Sequence, residues 1–215
     1  LAPSQTFQTL KQAGQGAERT MFAATGGVNT HKGAVFTLGT ICGAIGRRWK
    51  ADVPCRDPEI ILSECGAMVS AAVEADFAAL DAKTARTAGE RAYLEKGLSG
   101  ARGEAAKGFP SVREVALPAL SRALEAGLNK NDAGTIALLH LIAQGADTNM
   151  AARGGPERAK KAAEDCARLL ERCPLPEVED ISRLDQEFIR DNLSPGGCAD
   201  LLAASFFIAK WKDFG

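Results

Sequence analysis

A chain of 215 residues is long enough to bury a sizeable core, and its 26 basic and 27 acidic residues are interspersed, which argues against a nucleic-acid groove, an anionic membrane face or a polybasic tail. Aromatics at 6 %, the lack of alternating Val/Ile/Thr runs and the abundance of alanine point to an all-α fold, expected as a single compact multi-helix domain. The six cysteines show no CxxC pair and no His at metal-ligand spacing, there is no signal peptide, and the longest apolar run breaks at Lys210, so a cytoplasmic protein acting on a small soluble ligand is expected.

Residues 4 to 24 read as a helix, followed by the turn GGVNTHKG and a second helix ending near Gly46, Arg47 and Arg48, where basic residues suit the dipole. The turn carries Asn29, Thr30, His31, Lys32 and Gly33. The first N–H groups of a helix lack partners within it and sit at positive potential, so a Lys there completes a site for an anion such as phosphate. A plain cap by Asn29 or Thr30, with Lys32 solvated, is the alternative. His31, exposed beside Lys32, reads as functional.

DVPCRDPE is a loop, after which the pattern predicts a long apolar-periodic helix over 57–82 and a more polar one over 84–97. The glycine-rich segment GLSGARGEAAKGFPS then reads as a connector, too long and too specifically charged for mere spacing, with Arg102 and Glu104 its candidate functional residues. Helices follow at about 111–126 and 132–145. The second opens with the cap turn GLNKNDAG, holding Asn129, Asn131 and Asp132; His140, among leucines, reads as a hydrogen-bonded core residue.

The next loop, ADTNMAARGGP, holds Asp147, Asn149 and Arg153. A charged helix over 156–172, another over 177–191 and an apolar one over 195–212 complete the chain. Before the last lies DNLSPGG, with Ser194 as N-cap, Pro195 at the first helical position, and Gly196 and Gly197 behind. Each glycine disfavours helix by about 1 kcal/mol, so ligand access or tight packing must explain them, and both stay open. Asp132 and Asp147 fall at opposite ends of one predicted helix, about 15 residues or roughly 22 Å apart. One phosphate cannot engage both. Either one acid is structural, or the helix is broken, or the ligand is long and rich in phosphate.

The strings GGVNTHKGAVFTLG, GLSGARGEAAKGFPSV, NDAGTIALLHLIAQGADTN with RGG after it, and NLSPGGCADLLA occur in this order from about residue 10 to 209. Together they resemble the triphosphoribosyl-dephospho-coenzyme A synthase family, which serves citrate lyase and, in a close branch, malonate decarboxylase. The resemblance implies a helical transferase in which the 2′-hydroxyl of 3′-dephospho-coenzyme A attacks the ribose C1′ of ATP, adenine leaves, and the triphosphate stays on the product. That product is the precursor of an acyl carrier protein prosthetic group. The family's PKPGLVD-like and GAHxDMD-like elements should precede Leu1, which is not an initiator Met, so the chain is expected to be an N-terminally incomplete form of the family fold.

This chemistry needs a carboxylate near the developing positive charge on the sugar, a base for the hydroxyl proton, a proton donor for adenine, and Mg²⁺ with cationic donors for the triphosphate. Asp147, His31, Asp200 and Glu104 are the expected catalytic groups, with Asp147 and Asp200 as metal ligands. Asp200 falls in the first turn of its predicted helix, where the dipole alone accounts for an acid. Asp147 sits after a helix C-terminus, where the dipole opposes a carboxylate, so a metal or Arg partner is expected.

Lys32, Arg102 and Arg153 are expected on phosphate, each being alternatively a surface ion-pair partner. Asn29, Thr30, Gly33, Asn131, Asp132, Asn149, Ser194, Gly196 and Gly197 complete the expected nucleotide-binding set, and the turns around Lys32, Arg102, Asp147 and Gly196 are expected to converge on one cleft. A non-catalytic helical nucleotide-binding or adaptor domain is the alternative. A phosphohydrolase of the HD type is disfavoured by the two histidines without a His-Asp pair. The sequence leaves the oligomeric state open, a homodimer being one option.

Overall fold

The computed structural model describes residues 1–50, 53–81, 83, 85 and 88–213. Eleven α-helices run through them: α1 (Pro3–Ala24), α2 (Lys32–Arg48), α3 (Pro58–Ala78), α4 (Ala88–Lys96), α5 (Gly100–Ala106), α6 (Leu117–Glu125), α7 (Lys130–Ala143), α8 (Thr148–Gly154), α9 (Pro156–Arg172), α10 (Val178–Arg190) and α11 (Gly196–Lys212), with a π-helical segment at Ser111–Ala116. Among the described residues there is no strand, only an isolated bridge between Lys50 and Val53, and the all-α expectation holds. Position 52, where the predicted loop starts, position 82, at the predicted end of the third helix, and positions 84, 86 and 87, at the start of the fourth, lie outside the described residues.

The segment 97–110 and the stretch 146–155, expected as loops, each contain a short helix, α5 and α8. Both are brief and glycine-bounded, so neither shows the sustained apolar period from which a helix is recognised.

The chain forms two compact units: unit 1 comprises 1–80, 101–113 and 203–215, and unit 2 comprises 81–100 and 114–202. In unit 1, α1, α2 and α3 pack against one another, and the buried side chains include Phe7, Ile41, Ile61, Leu62, Met68 and Val69. Glu64 is 4 % exposed on α3 and faces Arg47 and Arg48 of α2, each at 2.5 Å. Burial pushes its carboxyl up, but the two guanidinium groups outweigh burial and hold it below the usual carboxylate range. Arg47 also donates to the carbonyl of Leu1 and the hydroxyl of Thr6, tying the start of α1 to the end of α2.

The turn after α5 is tight. Gly108 has φ +71°, and a Cβ there would stand 2.8 Å from the carbonyl oxygen of Leu62. Phe109, fully buried, also takes a positive φ of 53°, a costly conformation for a bulky side chain, held here by its N–H on the Glu104 carbonyl at 2.7 Å.

In unit 2, α7 packs against α6 and α9, and α9 also meets α8 and α10. Leu139, Leu141, Ile142, Met150, Cys166 and Leu170 contribute to its core. His140 is partly buried on α7; burial first, then the charge of Arg122, pushes its imidazole below the usual range.

Candidate functional site

In unit 1 Asn29, Thr30, Lys32 and Gly33 stand at the start of α2, and Arg102 stands on α5. Asn29 Oδ1 accepts the N–H of Lys32 at 3.1 Å, and the N–H of Val35 reaches the His31 carbonyl. The N–H groups of Gly33 and Ala34 find no acceptor among the described residues, which leaves two oriented donors at the positive end of the helix. His31 is exposed, its N–H pointing to the sulfur of Met21 and its Nδ1 lying 2.8 Å from Thr30 Oγ1.

Lys32 and Arg102 line one cavity of about 380 Å³. Its apolar wall includes Phe7, Leu10, Val35, Phe36 and Val73, and its charged residues are Lys11, Glu18, Lys32, Asp76 and Arg102. Two ion pairs cross its edge: Lys32 Nζ to Glu18 at 3.2 Å and Lys11 Nζ to Asp76 at 3.3 Å. Gly14 of α1 and Gly39 of α2 also line it. A Cβ on Gly14 would meet only Val35, at 4.0 Å, and one on Gly39 would meet nothing within 4 Å. At Gly43, by contrast, a Cβ would lie 2.3 Å from a terminal methyl of Leu10 and 3.2 Å from that of Met68, so both side chains would have to shift. Helix-interior glycine is unfavourable by about 1 kcal/mol relative to alanine, so Gly14 and Gly39 are not there for packing; they keep the cavity wide.

Unit 2 gathers the other expected residues, but in a different role. Asp147 is the N-cap of α8, not the tail of α7. Its Oδ1 accepts the N–H groups of Asn149 at 2.8 Å and Met150 at 3.1 Å, and its Oδ2 accepts the N–H of Cys198, in the first turn of α11, at 2.8 Å. One buried carboxylate therefore caps two helices. The chain turns into a new helix at Asp147, so the dipole there favours the charge, and capping replaces the metal or Arg partner the sequence suggested.

Ser194 does not make the expected cap: the Ala199 N–H donates to the Pro195 carbonyl, and α11 begins at Gly196. Asp200, its fifth residue, lies beyond the first turn. A Cβ on Gly197 would lie 3.3 Å from Asp147 Oδ2, and one on Gly196 3.0 Å from Asn149 Nδ2, so close packing explains both glycines.

The remaining polar turns are closed on themselves. Asn129 caps α7 by accepting the N–H groups of Asn131 and Asp132, and its own amide reaches Asp132 Oδ2 at 2.7 Å. Arg153 donates to Asn192 Oδ1, while the Asn192 amide returns to the Arg153 carbonyl. Back in unit 1, Glu104 takes the N–H of Ser111 at 3.0 Å and its hydroxyl at 2.8 Å, which fixes the turn into the π-helical segment.

The structure thus brings Lys32 together with Arg102, and Asp147 with Asn149, Gly196 and Gly197. A metal finds a poor set in the expected ligands. Asp147 already holds three N–H donors, and among the described residues no group of three or more His, Cys, Asp or Glu is placed to hold an ion. The sequence reading passed over Glu18, Lys11 and Asp76. Their signal was present: Phe7, Leu10, Lys11, Gly14 and Glu18 recur at three- and four-residue spacing along one face of α1.

The family model described as CitG: ATP:dephospho-CoA triphosphoribosyl transferase matches residues 2–214. The chain belongs to this family. Triphosphoribosyl-dephospho-CoA synthase is a transferase that joins the triphosphoribosyl part of ATP to 3′-dephospho-coenzyme A and releases adenine. No solved structure matches the chain. Among the described residues no helix is long and apolar enough to cross a membrane.

Proposed function

We propose that this synthase binds ATP in the unit 1 cavity, with the triphosphate at the start of α2. The observation that carries the reading is the meeting of Lys32 and Arg102 on one cavity whose other wall is apolar and opened by two glycines. A triphosphate needs several cationic and N–H donors, and Lys32, Arg102 and the amides of Gly33 and Ala34 supply them. The flat adenine needs an apolar slot, which Phe7, Val35 and Phe36 supply beside it. Asn29 orders the turn so that the amides point outward before the ligand arrives.

Mg²⁺ comes to this site as the companion of ATP. Such an ion takes most of its ligands from phosphate and water and only one or two from carboxylates, so it requires no cluster of acids. The product passes to the acyl carrier protein of citrate lyase or malonate decarboxylase, and the reaction belongs to the cytoplasm, where ATP is abundant.

Calorimetric titration with ATP and Mg²⁺ tests the site. Lys32→Ala should weaken binding by about 1.5–3 kcal/mol, the worth of one charge-assisted contact. Unchanged affinity would return Lys32 to the role of a solvated cap residue. Incubation of the protein with ATP and dephospho-coenzyme A should release adenine with neither ADP nor phosphate, because attack at C1′ leaves every phosphate bond intact.

A further inference from the structure

The transfer needs a carboxylate facing the sugar, and the acids first expected there are engaged elsewhere. Asp147 caps two helices through three backbone N–H groups, and Glu104 holds Ser111 through both its oxygens. Glu18 is different. It lines the cavity that Lys32 and Arg102 share, from the face of α1 that also carries Phe7, Leu10 and Gly14. Its side chain is 25 % exposed, and its carboxylate pairs with Lys32 Nζ at 3.2 Å, with no backbone donor upon it among the described residues.

We infer that Glu18 is a catalytic residue, the acceptor of the proton from the attacking 2′-hydroxyl, and that Lys32 restrains it until ATP arrives. The inference rests on the placement of ATP in this cavity. In the free protein Lys32 neutralises Glu18. A triphosphate at the start of α2 offers the same ammonium several negative charges in place of one, so Lys32 turns to the phosphates and the carboxylate is released beside the ribose.

As the 2′-oxygen bonds to C1′, its proton passes to Glu18. The C1′–N9 bond breaks, its electron pair leaves with adenine, and the proton moves from Glu18 to the departing base, directly or through water, so charge and protons balance. While the bond to adenine is breaking, the carboxylate also faces the positive charge that develops on the sugar, as carboxylates do in glycoside chemistry. Lys32 thereby couples nucleotide binding to the appearance of the base.

Glu18→Gln keeps the shape of the side chain and removes its basicity. Adenine release should fall on the order of 100-fold or more in kcat, while ATP affinity in calorimetry is retained or rises, since Lys32 no longer has a carboxylate to leave. The pH profile of kcat gives a second readout. The charged groups facing the cavity are Lys32 from α2, Asp76 from α3, Arg102 from α5, and Lys11 beside Glu18 on α1. Asp76 is the other acid among them, so Asp76→Asn should keep the acid limb of the profile and Glu18→Gln should lose it.

Glu18→Asp, which retains a carboxylate one methylene further back, should recover part of the turnover, as a purely structural loss would not. A Glu18→Gln enzyme with full kcat and an intact acid limb overturns the inference. If Lys32→Ala still weakens ATP binding in that case, the nucleotide site stands without it. If Lys32→Ala leaves ATP binding unchanged, the site itself is wrong, and the role given to Glu18 goes with it.

Discussion

At Asp147 one buried carboxylate serves the starts of two helices at once. A carboxylate after a predicted helix end is out of place in the helix dipole, and the sequence offered a metal or an arginine to explain it. The structure supplies a third solution, three backbone N–H groups from the first turns of α8 and α11. An asparagine in its place keeps one carbonyl oxygen but turns an amide donor toward N–H groups, so at least one buried donor is left unpaired. Asp147→Asn should therefore lower stability by about 1–3 kcal/mol, read as a drop in urea midpoint at constant slope. An undiminished midpoint would show that the charge is not needed for capping and would reopen a role in the reaction. Lys32 and Arg102, by contrast, could be placed on one cavity from residue type and turn context alone, since their long side chains sit on glycine-flanked segments.

At the scale of elements, the long helices were legible because apolar residues recur at the helical period over many turns, and α1, α2 and α9 begin and end within a residue or two of expectation. The two short helices were not. α5 and α8 have seven residues each, too few to express a period, and the Asp147 cap of α8 is shared with the N–H of Cys198, a pairing that local sequence does not reveal.

The cavity-facing stripe of α1 was legible in principle, but its glycine reads as a weakness until the space beside it is seen. That space makes an opposed pair of effects measurable. Gly14→Ala should raise thermal stability by about 2–4 °C, the equivalent of about 1 kcal/mol of helix propensity in a protein of this size, while weakening ATP binding. The two readouts are a melting curve and a titration. Equal ATP affinity in the variant would mean that the recess does not receive the nucleotide.

On the scale of the whole molecule, the all-α class followed from composition, and the division of the chain into interleaved units did not, because nothing local marks where one unit passes to the other. The chain changes unit after residues 80, 100, 113 and 202, and the last three changes fall inside α5, the π-helical segment and α11. Neither unit is thus a continuous stretch that could melt and leave intact helices behind. We propose that the two behave as one domain, and that far-ultraviolet dichroism and tryptophan fluorescence report a single coincident unfolding transition. Two resolved transitions would refute this. The same threading sets an order of events at the ribosome. Unit 2 has all of its residues once Leu202 has emerged, whereas α1, α2 and α3, though made first, wait for the buried Ala204, Ser205 and Ile208 of the closing segment. The cavity lined by α1 and α2, whose residues are made before those of unit 2, therefore belongs to the unit that is completed later.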